Sequence, residues 1–141
     1  MAYDPNNVFA RIVRGELPCH SVYEDDQTLS FMDLMPQSPG HTLIIPKVAG
    51  ENILDTPLDS VEAAIRVTQR VAQAVEKAFR PQGLIVTQFN GQAAGQTVFH
   101  LHFHVIPVYA AGALNLHARA MADAAVLAGH AEKIRASIAD T

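Results

Sequence analysis

The chain has 141 residues, a formal net charge of −4 and 49% hydrophobic residues. This length suits one domain, residues 1–141, that buries a core without disulfides. The negative charge argues against nucleic acid or an anionic membrane as a partner, because basic patches supply most of that affinity. One cysteine, Cys19, and an opening without signal-peptide character predict a reducing, cytoplasmic location. No apolar run approaches the roughly 18 residues of a membrane span.

The beginning of the chain predicts a short helix followed by a β-hairpin. The apolar residues with helical spacing are Val8, Phe9, Ile12 and Val13. Asn6 or Asn7 can cap this helix, and Gly15 ends it. Residues 21–24 and 28–32 are rich in β-branched and aromatic side chains and are separated by a turn composition, so we expect two paired strands.

A loop, a buried strand and a long helix are expected next. Two prolines and a glycine exclude regular structure from residues 33–40. The apolar run 42–45 is typical of a central strand, and His41 lies directly before the start of this strand. Thr56 is the expected N-cap of a helix with Pro57 in its first turn, and apolar side chains recur every three or four positions over residues 61–79.

The remaining sequence predicts a second hairpin and a last helix. Residues 84–89 have strand character, and a loop of small residues connects them to a histidine-rich strand over 96–106. Asp123 can cap a C-terminal helix that contains Gly129, at a cost of about 1 kcal/mol relative to alanine. Hairpins of adjacent strands, with helices inserted between them, imply an α+β protein with an antiparallel sheet.

Three of the seven histidines alternate with apolar residues in the histidine-rich strand. Successive side chains of a strand point to opposite faces, so His100, His102 and His104 share one face. The opposite face, which we expect in the core, is formed by Phe99, Leu101, Phe103 and Val105. One face of this strand is therefore available for chemistry.

Three interpretations fit the row of imidazoles. In the first, the rings bind a metal ion; however, a third ring in a straight row starts about 13 Å from the first, and no carboxylate lies between Lys77 and Asp123 to complete such a site. In the second, a neutral ring attacks phosphorus while a neighbour donates a proton. In the third, the histidines are solvated surface groups without a partner.

The loop before the histidines favours phosphate chemistry. The Gln96 amide, the Thr97 hydroxyl and the N–H groups around Gly91 and Gly95 are expected to donate hydrogen bonds to phosphate oxygens. The motif contains neither a Walker lysine nor a set of carboxylates for Mg²⁺. We therefore expect transfer to histidine without a metal or another cofactor.

The run from position 100 to position 106, HLHFHVI, resembles the histidine triad (HIT) nucleotide-binding family. The similarity covers residues 8–107 and includes VYEDD at 22–26, PQSPGH at 36–41 and NG at 90–91. It implies a homodimer whose subunits contain a five-stranded antiparallel meander, a short N-terminal helix and a long central helix. Residues 108–141, with a C-terminal helix, match the family only loosely.

The resemblance also implies a site for a purine nucleoside monophosphate. In that site His102 would attack the α-phosphorus to form a nucleotidyl-histidine, His104 would bind phosphate and assist the leaving group, and His100 would orient its neighbour. His41 would be a fourth histidine of the site. The remaining residues implied are Asp33 and Leu34 for the ribose, Asn90, Gly95, Gln96 and Thr97 for the phosphate, and Val8, Phe9, Ile12 and Phe31 for the base.

Two aspects of the resemblance bear on metal and function. Many bacterial members of the family carry a zinc-binding cysteine pair, but the equivalent positions here are Asn7 and Ala10, and Ala49 replaces a further histidine, so we expect no structural zinc. The leading hypothesis is a metal-independent hydrolase that releases an AMP-type nucleotide from nucleoside phosphoramidates. The alternatives are a dinucleoside polyphosphate hydrolase and a nucleotide-binding interaction protein with vestigial catalysis.

Overall fold

One antiparallel sheet and three helices make up the part of the chain that the computed structural model describes, residues 2–110 and 120–139. The elements in chain order are α1 (Val8–Val13), β1 (Ser21–Glu24), β2 (Thr28–Met32), β3 (Thr42–Pro46), α2 (Leu58–Phe79), β4 (Gly83–Thr87), β5 (Phe103–Val108) and α3 (Ala124–Ala139), with a 3₁₀ turn at Gln92–Ala94. The predicted α+β class and five-stranded antiparallel sheet are confirmed. None of the described helices is both long and apolar enough to cross a membrane.

The strand order is β1-β2-β3-β5-β4, which differs from a simple meander at one point. The connection through α2 carries the chain from β3 to the sheet edge at β4, and the following hairpin inserts β5 between them. As a result β3 and β5 are neighbours, and Leu43 pairs with His104. This order brings His41, which precedes β3, next to the histidine strand.

The two faces of the sheet are covered by different helices. The residues of α2 that pack in the core on one face are Val61, Ala64, Val67, Val71, Ala74 and Val75. On the other face α1 covers a second cluster, formed by Phe9, Ile12, Leu29, Phe31, Leu43 and Ile45. Because α1 has only six residues, it leaves part of that face open.

Helix boundaries follow the predicted caps at two of three positions. The Asn7 side chain accepts a hydrogen bond from the Ala10 N–H, and Asp123 accepts one from the Ala125 N–H, so both act as N-caps. The predicted cap at Thr56 is wrong, because α2 begins one residue later, after Pro57. The Thr56 hydroxyl instead donates to the Asn52 carbonyl at 2.7 Å, which closes the preceding loop.

The histidine-rich segment is less regular than predicted. Ladder pairing of β5 begins only at Phe103, and the preceding residues form bends. Leu101 still reaches the core, and its N–H donates to the Gly50 carbonyl at 3.0 Å instead of to a neighbouring strand. Phe99, which was expected in the core, is 36% exposed. The alternation of faces therefore begins at His100.

The C-terminal helix packs against α2, β1 and β2 and is not interrupted at Gly129. Its buried residues include Leu127, Ala131 and Ile134, which join the core on the α2 side. The segment that was expected to be irregular between residues 110 and 120 lies mostly outside the described residues.

Candidate active site

A cavity of about 770 Å³ opens on the sheet face that α1 leaves partly uncovered. It is lined by eleven of the fourteen residues expected at the site: Val8, Phe9, Ile12, Phe31, Asp33, Leu34, His41, Gly95, Thr97, His102 and His104. Among the described lining residues there is no lysine or arginine, and Asp33 is the one carboxylate. The wall is therefore mainly apolar around a polar strip of histidines.

Aromatic rings form a row across this cavity. The His102 ring lies 4.9 Å from His104 and 4.9 Å from Phe9, measured between ring centroids. At the other end of the row, the His104 ring lies 5.4 Å from Phe89. The two ring centroids are closer than the ~6.6 Å between alternate positions of a straight strand, so the side chains lean toward each other. Two imidazoles can thus act on one small group.

The hydrogen bonds of His41 determine which nitrogen of His104 carries a proton. The Gln37 N–H donates to His41 Nδ1 at 3.0 Å, so the neutral His41 ring has its proton on Nε2. That Nε2–H lies 3.0 Å from His104 Nδ1 and donates to it. A neutral His104 must then carry its own proton on Nε2. His104 is a hydrogen-bond donor at this position.

His102 has the opposite tautomer. Its Nδ1 lies 2.7 Å from the His100 carbonyl oxygen, which can only accept a hydrogen bond, so Nδ1 carries the proton. Nε2 of the neutral ring is then an unprotonated lone pair, and it has no hydrogen-bond partner among the described residues. A nucleophilic nitrogen therefore lies beside a hydrogen-bond donor, His104.

Burial keeps these rings neutral. Desolvation lowers the pKa of His102 to about 4, and desolvation together with the neighbouring His102 and His41 lowers the pKa of His104 to about 3. Desolvation likewise lowers the pKa of His41 to about 4. At neutral pH the histidines are uncharged, which is the state that the tautomer assignment requires.

Three of the expected site residues do not line the cavity: His100, Asn90 and Gln96. The Gln96 side chain is 2% exposed: Nε2 donates to the Glu51 carbonyl of the loop before α2 at 2.6 Å, and Oε1 accepts from the Gly91 N–H of its own loop at 2.8 Å. Asn90 similarly accepts from the Ile53 N–H at 3.0 Å. Asn90 and Gln96 brace the loop rather than face the cavity.

The backbone donors expected in this loop are also in use. The Gly95 N–H donates to the Gln92 carbonyl, and the Gln96 N–H donates to the Gly91 carbonyl. Thr97 is exposed on the cavity wall, and its hydroxyl has no hydrogen bond to another described residue. Of the two side-chain donors considered in this loop, Gln96 and Thr97, the Thr97 hydroxyl is thus the one that remains available to a ligand.

Asp33, His41 and His104 converge although they come from distant parts of the sequence. One ligand-type atom of each lies within 4.8 Å of the others, and the contact between His41 Nε2 and Asp33 Oδ2 is 3.4 Å. Desolvation raises the pKa of Asp33 to about 6, so its carboxyl is mostly ionised at neutral pH. Two imidazoles and a carboxylate at these distances could hold a divalent cation. The sequence argument against a metal site considered only carboxylates between Lys77 and Asp123, whereas Asp33 reaches His104 through the fold.

Sequence reasoning also missed one wall of the cavity. This wall includes Ile85, Thr87 and Ile106, and the first two come from the edge strand β4. Thr87 pairs with His104 and Ile85 pairs with Ile106 across the ladder. Because paired residues share a face, the alternation of the histidine strand could have assigned this wall once the pairing of β4 with β5 was known.

The fold and the site define a class: an α+β protein whose sheet presents a strip of neutral histidines to an apolar cavity. The sequence model of the HIT domain matches residues 14–111. The chain therefore belongs to the HIT domain family.

Individual relatives agree with this assignment. Protein hit of Bacillus subtilis (strain 168) is 38% identical over 107 residues, covering 76% of this chain and 74% of that protein. Adenylylsulfatase HINT3 of Arabidopsis thaliana is 42% identical over 100 residues, covering 71% of this chain but only 51% of that longer protein. A crystal structure of a Hit-like protein from Bartonella henselae, described with an unknown ligand, has a TM-score of 0.90 at 46% identity and covers 96% of this chain and 99% of that one.

Proposed function

We propose that the protein hydrolyses nucleoside phosphoramidates to a nucleoside 5′-monophosphate and an amine, through a nucleotidyl group on His102 and without a metal ion. The observation that carries this proposal is the pair of opposite tautomers at His102 and His104, whose rings are 4.9 Å apart. Phosphoryl transfer to histidine needs a nucleophile and a hydrogen-bond donor to the phosphate oxygens at one phosphorus atom. The pair provides both at neutral pH.

Two displacements complete the proposed reaction. In the first, the substrate nitrogen carries a proton taken from solvent, His102 Nε2 bonds to the α-phosphorus, and the P–N bond breaks to release the neutral amine. His104 stays neutral: its Nε2–H donates a hydrogen bond to a phosphate oxygen, and its Nδ1 accepts from His41. In the second, water attacks the phosphorus, the bond to His102 breaks, and the proton that the water loses goes to solvent. Both rings are then restored.

The rest of the cavity supplies groups for the nucleotide in this proposal. The base would occupy the apolar end, where the Phe9 and Phe31 rings pack edge-to-face at 5.4 Å. The Asp33 carboxylate, whose Oδ1 accepts from the Met35 N–H, would accept hydrogen bonds from the ribose hydroxyls through Oδ2. The Thr97 hydroxyl would donate to a phosphate oxygen. The preference for purines rests on the family resemblance.

The charge of the cavity favours an uncharged leaving group. A dinucleoside polyphosphate would leave as a highly charged nucleotide, and phosphate chains are normally bound by lysine, arginine or Mg²⁺. None of the described lining residues is a lysine or an arginine. An amine bound through nitrogen requires no such cations, so the phosphoramidate is the better substrate of the two.

Competing substrates test this preference. We expect kcat/KM for adenosine 5′-phosphoramidate to exceed that for a dinucleoside polyphosphate on the order of tenfold or more, because no lysine or arginine among the described lining residues can bind the polyphosphate. Adenylyl sulfate belongs in the same panel, since one relative is named an adenylylsulfatase. Faster turnover of the polyphosphate would favour the alternative hydrolase. Binding of AMP without turnover of any substrate would indicate an interaction protein.

His102→Ala tests the covalent step. Turnover should fall by about three orders of magnitude or more, as it does in other enzymes that lose their nucleophilic side chain. The dissociation constant of AMP should change little, because His102 acts in the covalent step. Mass spectrometry after a brief reaction quenched in base should find the nucleotidyl group on His102 in the unmodified protein and none in the variant. His130→Ala is the control, because His130 lies on α3 against Phe79 and not in the cavity. Turnover by His102→Ala at the normal rate would contradict the proposal.

The homodimer expected from the family resemblance is part of the proposal. Support comes from the edge strand β4, which pairs on one side only among the described residues, and from exposed apolar residues on β4 and α2, namely Val86 (50% exposed), Ile65 (46%) and Leu58 (72%). Sedimentation at micromolar concentration should give a dimer that Val86→Arg dissociates, since a buried unpaired charge is costly. A monomer in the unmodified protein would contradict the proposed homodimer.

The single-domain organisation and the cytoplasmic location stay predictions.

A further inference from the structure

Tyr3 contacts a buried histidine of the triad from outside the cavity. Its hydroxyl lies 2.6 Å from His100 Nδ1, and the two rings meet edge-to-face with centroids 5.8 Å apart. His100 is 1% exposed and does not line the cavity. Tyr3 also lies before residue 14, where the match to the family model begins. This contact is therefore a feature of the N-terminal segment.

The donor and acceptor roles at His100 are fixed on both sides. Nε2 lies 2.7 Å from the Pro46 carbonyl oxygen, which only accepts, so Nε2 carries the proton of the neutral ring. Nδ1 is then unprotonated, and the Tyr3 hydroxyl donates to it. Both ring nitrogens are satisfied in this one tautomer. Removal of the hydroxyl would leave a buried acceptor without its partner.

The N-terminal segment is anchored where it holds Tyr3. Arg14 Nη1 donates to the Pro5 carbonyl at 2.6 Å, and Asn7 Nδ2 donates to the Asp4 carbonyl at 2.7 Å. Asn7 is also the N-cap of α1, so the segment continues directly into a helix that borders the cavity. These hydrogen bonds fix the path of the chain between Tyr3 and α1.

His100 connects this segment to the proposed nucleophile. Its carbonyl oxygen accepts the His102 Nδ1–H, and that bond leaves Nε2 of His102 unprotonated. The Phe9 ring packs against both imidazoles, with centroids 6.5 Å from His100 and 4.9 Å from His102. A shift of the His100 ring would move its own carbonyl and loosen the packing of Phe9. The orientation of His102 depends on His100 through both contacts.

We propose that Tyr3 is a positioning residue for the reaction: its hydroxyl locks His100, and His100 in turn keeps His102 in the nucleophilic tautomer. The effect on turnover rests on the proposed function of His102, whereas the effect on the tautomer does not. Without the hydroxyl, His102 samples the tautomer with its proton on Nε2, which cannot attack phosphorus. The loss therefore falls on the chemical step and not on nucleotide binding.

Tyr3→Phe tests this role, because it removes the hydroxyl and keeps the ring. We expect kcat for adenosine phosphoramidate to fall about fivefold, as for loss of one neutral hydrogen bond, with KM within about twofold of the normal value. Tyr23→Phe is the matched control: it deletes a hydroxyl that donates to Asp25 on the surface of β1, and its kcat should be unchanged. An unchanged kcat in Tyr3→Phe, or an equal loss in Tyr23→Phe, would overturn the proposal.

A spectroscopic readout separates this role from a general loss of stability and from failure of the proposed reaction. In ¹⁵N-histidine-labelled Tyr3→Phe without substrate, the Nδ1 signal of His100 should shift and Nε2 of His102 should gain protonated character. Folded protein in which both signals stay unchanged would contradict the positioning role. A changed His102 signal in a protein that hydrolyses no phosphoramidate would support the role of Tyr3 and refute the proposed function instead.

Discussion

The hydrogen bond from His102 Nδ1 to the backbone carbonyl of His100 is the interaction on which the site depends. A carbonyl oxygen can only accept, so this bond fixes the proton of His102 on Nδ1 and exposes a lone pair on Nε2. Its neighbour His104 has the opposite assignment because His41 donates to its Nδ1. Two identical side chains thereby acquire different chemical roles from their partners alone, and burial keeps both rings uncharged.

The strand order and the irregular start of β5 make this arrangement possible. Insertion of β5 between β3 and β4 places His41 within hydrogen-bonding distance of His104. The bends before β5 turn the His100 carbonyl toward the ring of His102 instead of toward a neighbouring strand. A regular strand would have used this carbonyl in the ladder or left it at the sheet edge. The local departure from strand geometry is thus part of the site.

The sequence predicted the elements and the shared face of His102 and His104, because both depend on local periodicity. The β1–β2 hairpin, the Asn7 cap and the apolar stripe of α2 follow directly from side-chain spacing. Contacts between distant segments were not predictable in the same way. The approach of Asp33 to His41 and the Tyr3 hydroxyl bond depend on tertiary packing, and the role of Gln96 as a loop brace depends on carbonyls that come from another loop. Residue type alone suggested a phosphate donor there.

The ¹⁵N NMR spectrum of the imidazole nitrogens in the unmodified protein, recorded near pH 7 without ligand, tests the central claim most directly, since each tautomer has a distinct pattern of nitrogen shifts and proton couplings. The account predicts two neutral rings, with His102 protonated on Nδ1 and His104 protonated on Nε2. The same tautomer on both rings, or a doubly protonated ring at either position, would contradict it.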